Sequence, residues 1–237
     1  MNRITVKDSA ELAARELAEY LARSVIHSDK KLNIALSGGN SPKTAFREMT
    51  KLLNDPAHFA KVNFYWVDER CVAPESEESN YGEFKRIYAD AVNFPQSNMF
   101  PMDGANDPKR EAQRYSALLK DNLPESNGLP LFDIIVLGMG DDGHTASIFP
   151  DRMDLFESDK TVAVAKHPKT KQHRITLTGP VIMNAIEAIA LVAGKNKSAV
   201  LKEVFEKRPE SLKYPISIVY GERNVAWILD DDSTLNF

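Results

Sequence analysis

The run Phe132-Asp133-Ile134-Ile135-Val136-Leu137, followed at once by Gly138-Met139-Gly140-Asp141-Asp142-Gly143, decides how this chain folds. A short, nearly continuous apolar run is the pattern of a parallel strand covered on both faces. In an open parallel sheet, ligands gather beyond the carboxyl ends of the strands, so the glycine-rich turn is the first place to look for function. The same order recurs upstream. Leu32–Leu36 is a second buried run, ending in Ser37-Gly38-Gly39-Asn40-Ser41-Pro42, after which Ala45, Phe46, Met49, Leu52 and Leu53 recur at helical spacing. Residues 62–67 make a third strand that runs into Asp68-Glu69-Arg70.

Nearer the amino terminus, Asp8 opens a helix with Glu11 three residues on, the spacing of a capping box, and Ala10, Ala14, Leu17, Leu21 and Val25 form its apolar stripe. Residues 74–79 read as a loop, and 81–91 and 108–119 as helices. Further strands are expected at 162–165, 174–178, 189–193 and 216–219, with a helix marked by Ala199, Val200, Val204 and Phe205 between the last two. Strands alternating with helices predict an α/β protein with a mostly parallel central sheet. No repeat or linker divides it, so one domain over residues 1–237 is expected.

Composition narrows the function. The 237 residues are 43% hydrophobic and 27% charged, in the range of globular proteins. Thirty Lys and Arg against 34 Asp and Glu leave a net charge of −4, which argues against a nucleic-acid or membrane-surface binder. A small anionic ligand needs only a few placed cations and stays open. The lone Cys71 allows neither an intrachain disulfide nor a cysteine metal cage, and no apolar stretch approaches the ~18 residues of a membrane span. A soluble cytoplasmic protein is expected.

Three turns follow strands and carry polar residues. The Gly38-Gly39 turn opens a helix and fits either a phosphate cradle or a plain tight turn, since two glycines let backbone amides approach an anion. The segment Gly138-Met139-Gly140-Asp141-Asp142-Gly143-His144-Thr145-Ala146-Ser147-Ile148-Phe149-Pro150 offers a histidine, a natural general base near neutrality, with carboxylates to orient it. A capping role for His144 is the plainer alternative. No second histidine lies at ligand spacing, so no metal is expected, and no acidic residue ends a strand ~20 residues on as a nicotinamide site requires. Asp68 and Arg70 are either the solvated end of a strand or alternate residues facing the same cleft as His144. Arg174 opens a strand and Lys197 starts a helix; they are surface charges or, with the Gly-Gly turn, a phosphate site. Cys71 reads as a packed small residue.

Taken together, the 132–150 segment, Asp68-Glu69-Arg70, Glu78-Ser79-Asn80-Tyr81-Gly82, the 174–178 strand, the 194–198 turn and Trp227-Ile228-Leu229-Asp230 resemble the 6-phosphogluconolactonase family, in its order, from about residue 32 to 230. The resemblance implies a Rossmann-like three-layer α/β fold, shared with glucosamine-6-phosphate deaminases, and no organic cofactor. It implies hydrolysis of 6-phospho-D-glucono-1,5-lactone to 6-phospho-D-gluconate, the second step of the oxidative pentose phosphate pathway. On this reading His144 is the general base and Asp142 its companion, while Asp68 and Arg70 line the sugar site. Gly38, Gly39, Arg174 and Lys197 take the phosphate, and Lys195 is a bystander. The partner is then a small sugar-phosphate lactone, handled by a monomer or, alternatively, a dimer. The deaminases carry a glutamate five residues after the histidine; here that position is Phe149, which cannot relay a proton.

Overall fold

The computed structural model describes residues 3–221 and 225–237. The chain opens with β1 (Arg3–Lys7), α1 (Ala10–Ile26), β2 (Leu32–Leu36) and α2 (Asn40–Leu52). Next come α3 (Pro56–Phe59), β3 (Val62–Trp66), β4 (Asp68–Arg70), α4 (Asn80–Phe84) and α5 (Asp90–Val92), the last two joined by a π-turn. The middle holds β5 (Met99–Phe100), α6 (Pro108–Asn122), β6 (Glu125–Ser126), β7 (Leu129–Pro130) and β8 (Ile134–Leu137). The last third comprises β9 (Val162–Lys166), β10 (His173–Leu177), α7 (Gly179–Asn184), β11 (Glu187–Val192) and α8 (Ser198–Phe205), then α9 (Pro215–Tyr220), β12 (Val225–Asp230) and α10 (Asp231–Thr234).

Seven strands form one sheet in the order β1-β12-β11-β8-β2-β3-β5, and every pairing in it is parallel. Helices cover both faces, giving a Rossmann-like three-layer α/β architecture. The inner strands β2 and β8 are buried at every residue, which is why they read as unbroken apolar runs rather than alternating ones. From β2 the chain moves outward through β3 and β5 on one side, and from β8 through β11 and β12 on the other. The β2–β8 boundary is therefore the topological switch point, where diverging connections leave a crevice beyond the strand ends. Both glycine turns sit there: Gly38-Gly39 follows β2 and the 138–143 turn follows β8.

A second sheet, antiparallel, has the order β4-β10-β9. Val67 joins the two sheets, its N–H donating to Leu36 and its carbonyl accepting from Leu177. Asp68-Glu69-Arg70 is thus the start of a new strand rather than the frayed end of β3.

Three expectations need correction. The N-cap of α1 is Ser9, whose hydroxyl accepts from the Leu12 N–H, so the helix starts one residue later than the Asp8 pattern suggested and Glu11 falls in its first turn. Residues 216–219 are helical, within α9: Pro215 fixes the first helical φ, and burial of Ile216 and Val219 follows a helical step. A short apolar run does not distinguish strand from helix. The strand beside β11 is instead β12, and β1, a half-exposed edge, was not expected at all. Among the described residues, no helix is long and apolar enough to cross a membrane.

Candidate active site

Four adjacent strands, β11, β8, β2 and β3, each deliver one loop to a cleft of about 350 Å³. Its lining includes Gly38, Gly39, Asp68, Arg70, His144 and Lys197, with Ser37, Asn80 and Asp141 among their neighbours. A larger hollow of about 930 Å³ lies between α6, β9 and residues 152–159, and none of the residues singled out from the sequence lines it.

The His144 loop is held by its own backbone. Gly140 N–H donates to the His144 carbonyl, Gly143 N–H to the Gly140 carbonyl, and the Thr145 hydroxyl to the Gly138 carbonyl. Gly143 has φ +77° and lies against the Tyr214 ring, so a side chain there meets both strain and a clash. Ser147 then ties the loop to the small sheet, its N–H donating to Thr176 Oγ1 and its hydroxyl to Asp68 Oδ2 at 2.7 Å.

His144 Nδ1 stands 2.6 Å from Asp142 Oδ1, and the His144 backbone N–H donates to the same oxygen at 3.1 Å. Burial pushes the Asp142 carboxyl up, but the hydrogen bonds from the ring and backbone of His144 outweigh it and hold the group at about 2. An ionised carboxylate only accepts, so Nδ1 is the donor, and in the neutral ring the lone pair lies on Nε2. The Phe149 ring supports the imidazole with centroids 4.8 Å apart, and Phe149 also meets the His167 ring at 5.1 Å. Of the two aspartates considered for His144, the structure brings Asp142 to the ring; Asp68 accepts from Ser147.

Asp142 titrates below the usual carboxylate range, so its stabilising contribution is complete above about pH 3.8 and is lost as the pH falls through about 2. Its ionisation therefore gives no limb of its own in a kcat/KM profile between about pH 4 and pH 8; an acid limb in that range that persisted unchanged in the residual activity of His144→Gln would contradict this assignment.

Gly140 is as tightly placed. A Cβ there would lie 2.1 Å from His144 Nδ1 and 2.8 Å from Asp142 Oδ1. Gly140→Ala is therefore expected to push the imidazole off its carboxylate and lower kcat by about 10²-fold, the usual effect of an ångström-scale misplacement. Steady-state kinetics beside an unchanged circular-dichroism spectrum checks this.

Gly39, also in the lining, is the N-cap of the thirteen-residue α2 with φ +117°, a conformation that favours glycine. Lys197 precedes α8 and reaches Asp141 Oδ1 at 3.2 Å, while Lys195 is exposed and does not line the cleft. The Lys197 turn begins at Gly194, φ +100°, whose N–H donates to both carboxylate oxygens of buried Asp230. The Arg70 guanidinium donates to the Glu78 carbonyl at 2.6 Å. Arg174 is paired across β4–β10 with Arg70, so both side chains leave the same face, yet Arg174 is not among the cleft-lining residues. Burial and the neighbouring Arg70 charge lower its pKa, and its Nη1 is buried without a partner among the described residues. Sequence reasoning quoted Ser37, Asn80 and Asp141 within their motifs but gave none of the three a role of its own.

Among the described residues, no group of three or more His, Cys, Asp or Glu side chains could hold a metal ion. The thiol of Cys71 is half-buried, which pushes it up to about 11 and leaves it a poor nucleophile.

The same fold recurs in known proteins. The 6-phosphogluconolactonase of Aggregatibacter actinomycetemcomitans is 33% identical over 235 residues, covering 98% of both chains. The solved structure of the devB protein superposes with a TM-score of 0.94 at 32% identity over the whole of both chains. That of 6-phosphogluconolactonase from Trypanosoma brucei gives 0.87 at 28% identity, covering 100% of this chain and 99% of that one. The model describing glucosamine-6-phosphate isomerases and 6-phosphogluconolactonase matches residues 5–227, almost from β1 into β12, and to that family this chain belongs.

Proposed function

We propose that this protein hydrolyses 6-phospho-D-glucono-1,5-lactone to 6-phospho-D-gluconate, as a cytoplasmic enzyme of the oxidative pentose phosphate pathway. The observation that carries the reading is the Asp142–His144 pair facing a cleft that also holds Lys197, Arg70 and the glycine turn at the start of α2. Family membership and the lactonase names of its relatives support it.

A δ-lactone is already an electrophilic ester, so no covalent enzyme intermediate is needed. His144 Nε2 takes a proton from water as the water oxygen bonds to C1. The carbonyl π electrons move onto its oxygen, and Arg70 is placed to stabilise that negative charge. As the carbonyl re-forms, the bond from C1 to the ring oxygen breaks, and the imidazolium returns its proton to that oxygen. Asp142 orients the ring and offsets its transient charge. The new carboxylic acid ionises and releases one proton to solvent. Asp68 lines the sugar site. Gly38, Gly39 and Lys197 hold the phosphate, with Arg174 adding positive potential from beside the wall, so that attack on C1 proceeds in a fixed complex.

The deaminase reading requires a proton relay at position 149, where the Phe149 ring packs on His144 instead. The deciding experiment is a pH-stat measurement of acid release from freshly prepared lactone, corrected for spontaneous hydrolysis, beside ammonia release from glucosamine 6-phosphate. Acceleration of the first and none of the second is expected; an uncatalysed first reaction overturns the proposal. Lys197→Ala is expected to raise KM by about 10–100-fold, the worth of a hydrogen bond to a charged group, with little change in kcat. Arg174→Ala should move KM in the same direction, and loss of kcat alone in either variant would remove the anchoring role.

A further inference from the structure

One carboxylate lining the cleft has no part in the mechanism above. Asp141 lies on the His144 loop with its side chain 70% exposed, and its Oδ1 accepts from Lys197 Nζ at 3.2 Å. Among the described residues, no other group receives a hydrogen bond from that ammonium. The Lys197 side chain is only 15% exposed, so packing along its stem already limits where the charge lies. Its own backbone N–H and then Lys197 hold the Asp141 carboxyl below the usual carboxylate range, so it is charged at neutral pH.

An anion of the protein thus engages the cation that a ligand's phosphate would use. A phosphate reaching Lys197 either displaces the Asp141 carboxylate into water or shares the ammonium with it against the repulsion of like charges. We infer that Asp141 is an internal competitor for Lys197, loosening the hold of the cleft on phosphate-bearing ligands, substrate and product alike. This rests on the sugar-phosphate reading above and adds to it a determinant of affinity. Hydrolysis leaves the phosphate in place and creates a carboxylate, so the product carries one more negative charge than the lactone. A lysine already matched by an internal anion gives such a product up more readily than an unmatched one. A carboxylate that merely oriented Lys197 would have the opposite effect, since phosphate would then bind worse without it.

The test is isothermal titration calorimetry of 6-phosphogluconate and D-gluconate into the wild type, Asp141→Asn, Lys197→Ala and the double variant. Asparagine keeps the shape of the exposed side chain and removes its charge. Asp141→Asn should bind 6-phosphogluconate about 5-fold tighter, the upper range for an ion pair with one exposed member. KM for the lactone should fall with it, because the phosphate is held alike in substrate and transition state. D-gluconate, which has no phosphate, should gain nothing. In the Lys197→Ala background the same substitution should change 6-phosphogluconate affinity by less than about 1.5-fold, since the two residues act as a pair. Unchanged or weaker binding of 6-phosphogluconate by Asp141→Asn, an equal gain for D-gluconate, or the full gain persisting without Lys197 overturns the inference. The calorimetric comparison needs no turnover, so absence of lactone hydrolysis by the wild type overturns the lactonase reading separately.

Discussion

Replacing His144 with alanine is expected to lower kcat by about 10²–10⁴-fold, the yield of general acid–base catalysis, while KM changes little. The expectation follows from geometry. Nδ1 is committed to an ionised Asp142, so Nε2 is the ring nitrogen left with a lone pair. Nothing else in the loop can replace it: Asp141 is engaged by Lys197, and Thr145 Oγ1 donates to the Gly138 carbonyl. His144→Gln, a polar side chain of similar reach that cannot accept a proton near neutrality, should be nearly as impaired as the alanine variant. Acid release measured by pH-stat, with the spontaneous rate subtracted, is the readout. Turnover within a few-fold of wild type in either variant would take His144 out of the mechanism.

The second large effect is on stability and comes from Glu69, one residue from the cleft wall on either side. Its side chain is 1% exposed and accepts from the backbone N–H groups of Arg70, Asn80 and Tyr81 and from the Ser79 hydroxyl. It thereby ties the first turn of α4 to β4 and sets both Arg70 and Asn80. Glu69→Ala leaves four donors unpaired in a buried place, at a cost of roughly 3 kcal/mol or more. For a chain of this size that corresponds to a fall in Tm of about 6–12 °C. Burial pushes the Glu69 carboxyl up to about 7, against the pull of those four donors. A carboxyl raised in this way contributes most at low pH, below its unfolded value, and loses that contribution as the pH rises through about 7. The Tm advantage of wild type over Glu69→Gln should therefore shrink between about pH 5 and pH 8. A constant or growing difference in thermal melts across that range would show that the folded carboxyl ionises in the ordinary range.

Local patterns in the chain were enough for the parallel α/β class and for the turns that bear the site. Strands β2, β3, β8 and β11 are short runs buried on both faces, and burial on both faces leaves a signature within five or six consecutive residues. Glycine turns are equally local, since φ +117° at Gly39 or +77° at Gly143 is a property of one residue. Where the signal was short and edge-like it failed. Residues 215–220 carry too few apolar positions to tell a period of 2 from one of 3.6, and β1 pairs on one side and is exposed for much of its length.

Sequence by itself therefore settled that glycine turns and an Asp-Gly-His segment follow buried parallel strands, because those are statements about neighbours along the chain. Tertiary structure alone decided that β2 and β8 lie side by side at the switch point, bringing the Gly38-Gly39 and His144 loops into one cleft. It also decided that Asp142 holds His144 while Asp68 meets Ser147, a partner 79 residues away, and that Asn80 presents its amide oxygen beside Gly38. The physical reason is one of range: backbone conformation and burial period are encoded within a few residues, whereas the partner of a carboxylate or amide is set by how distant strands pack.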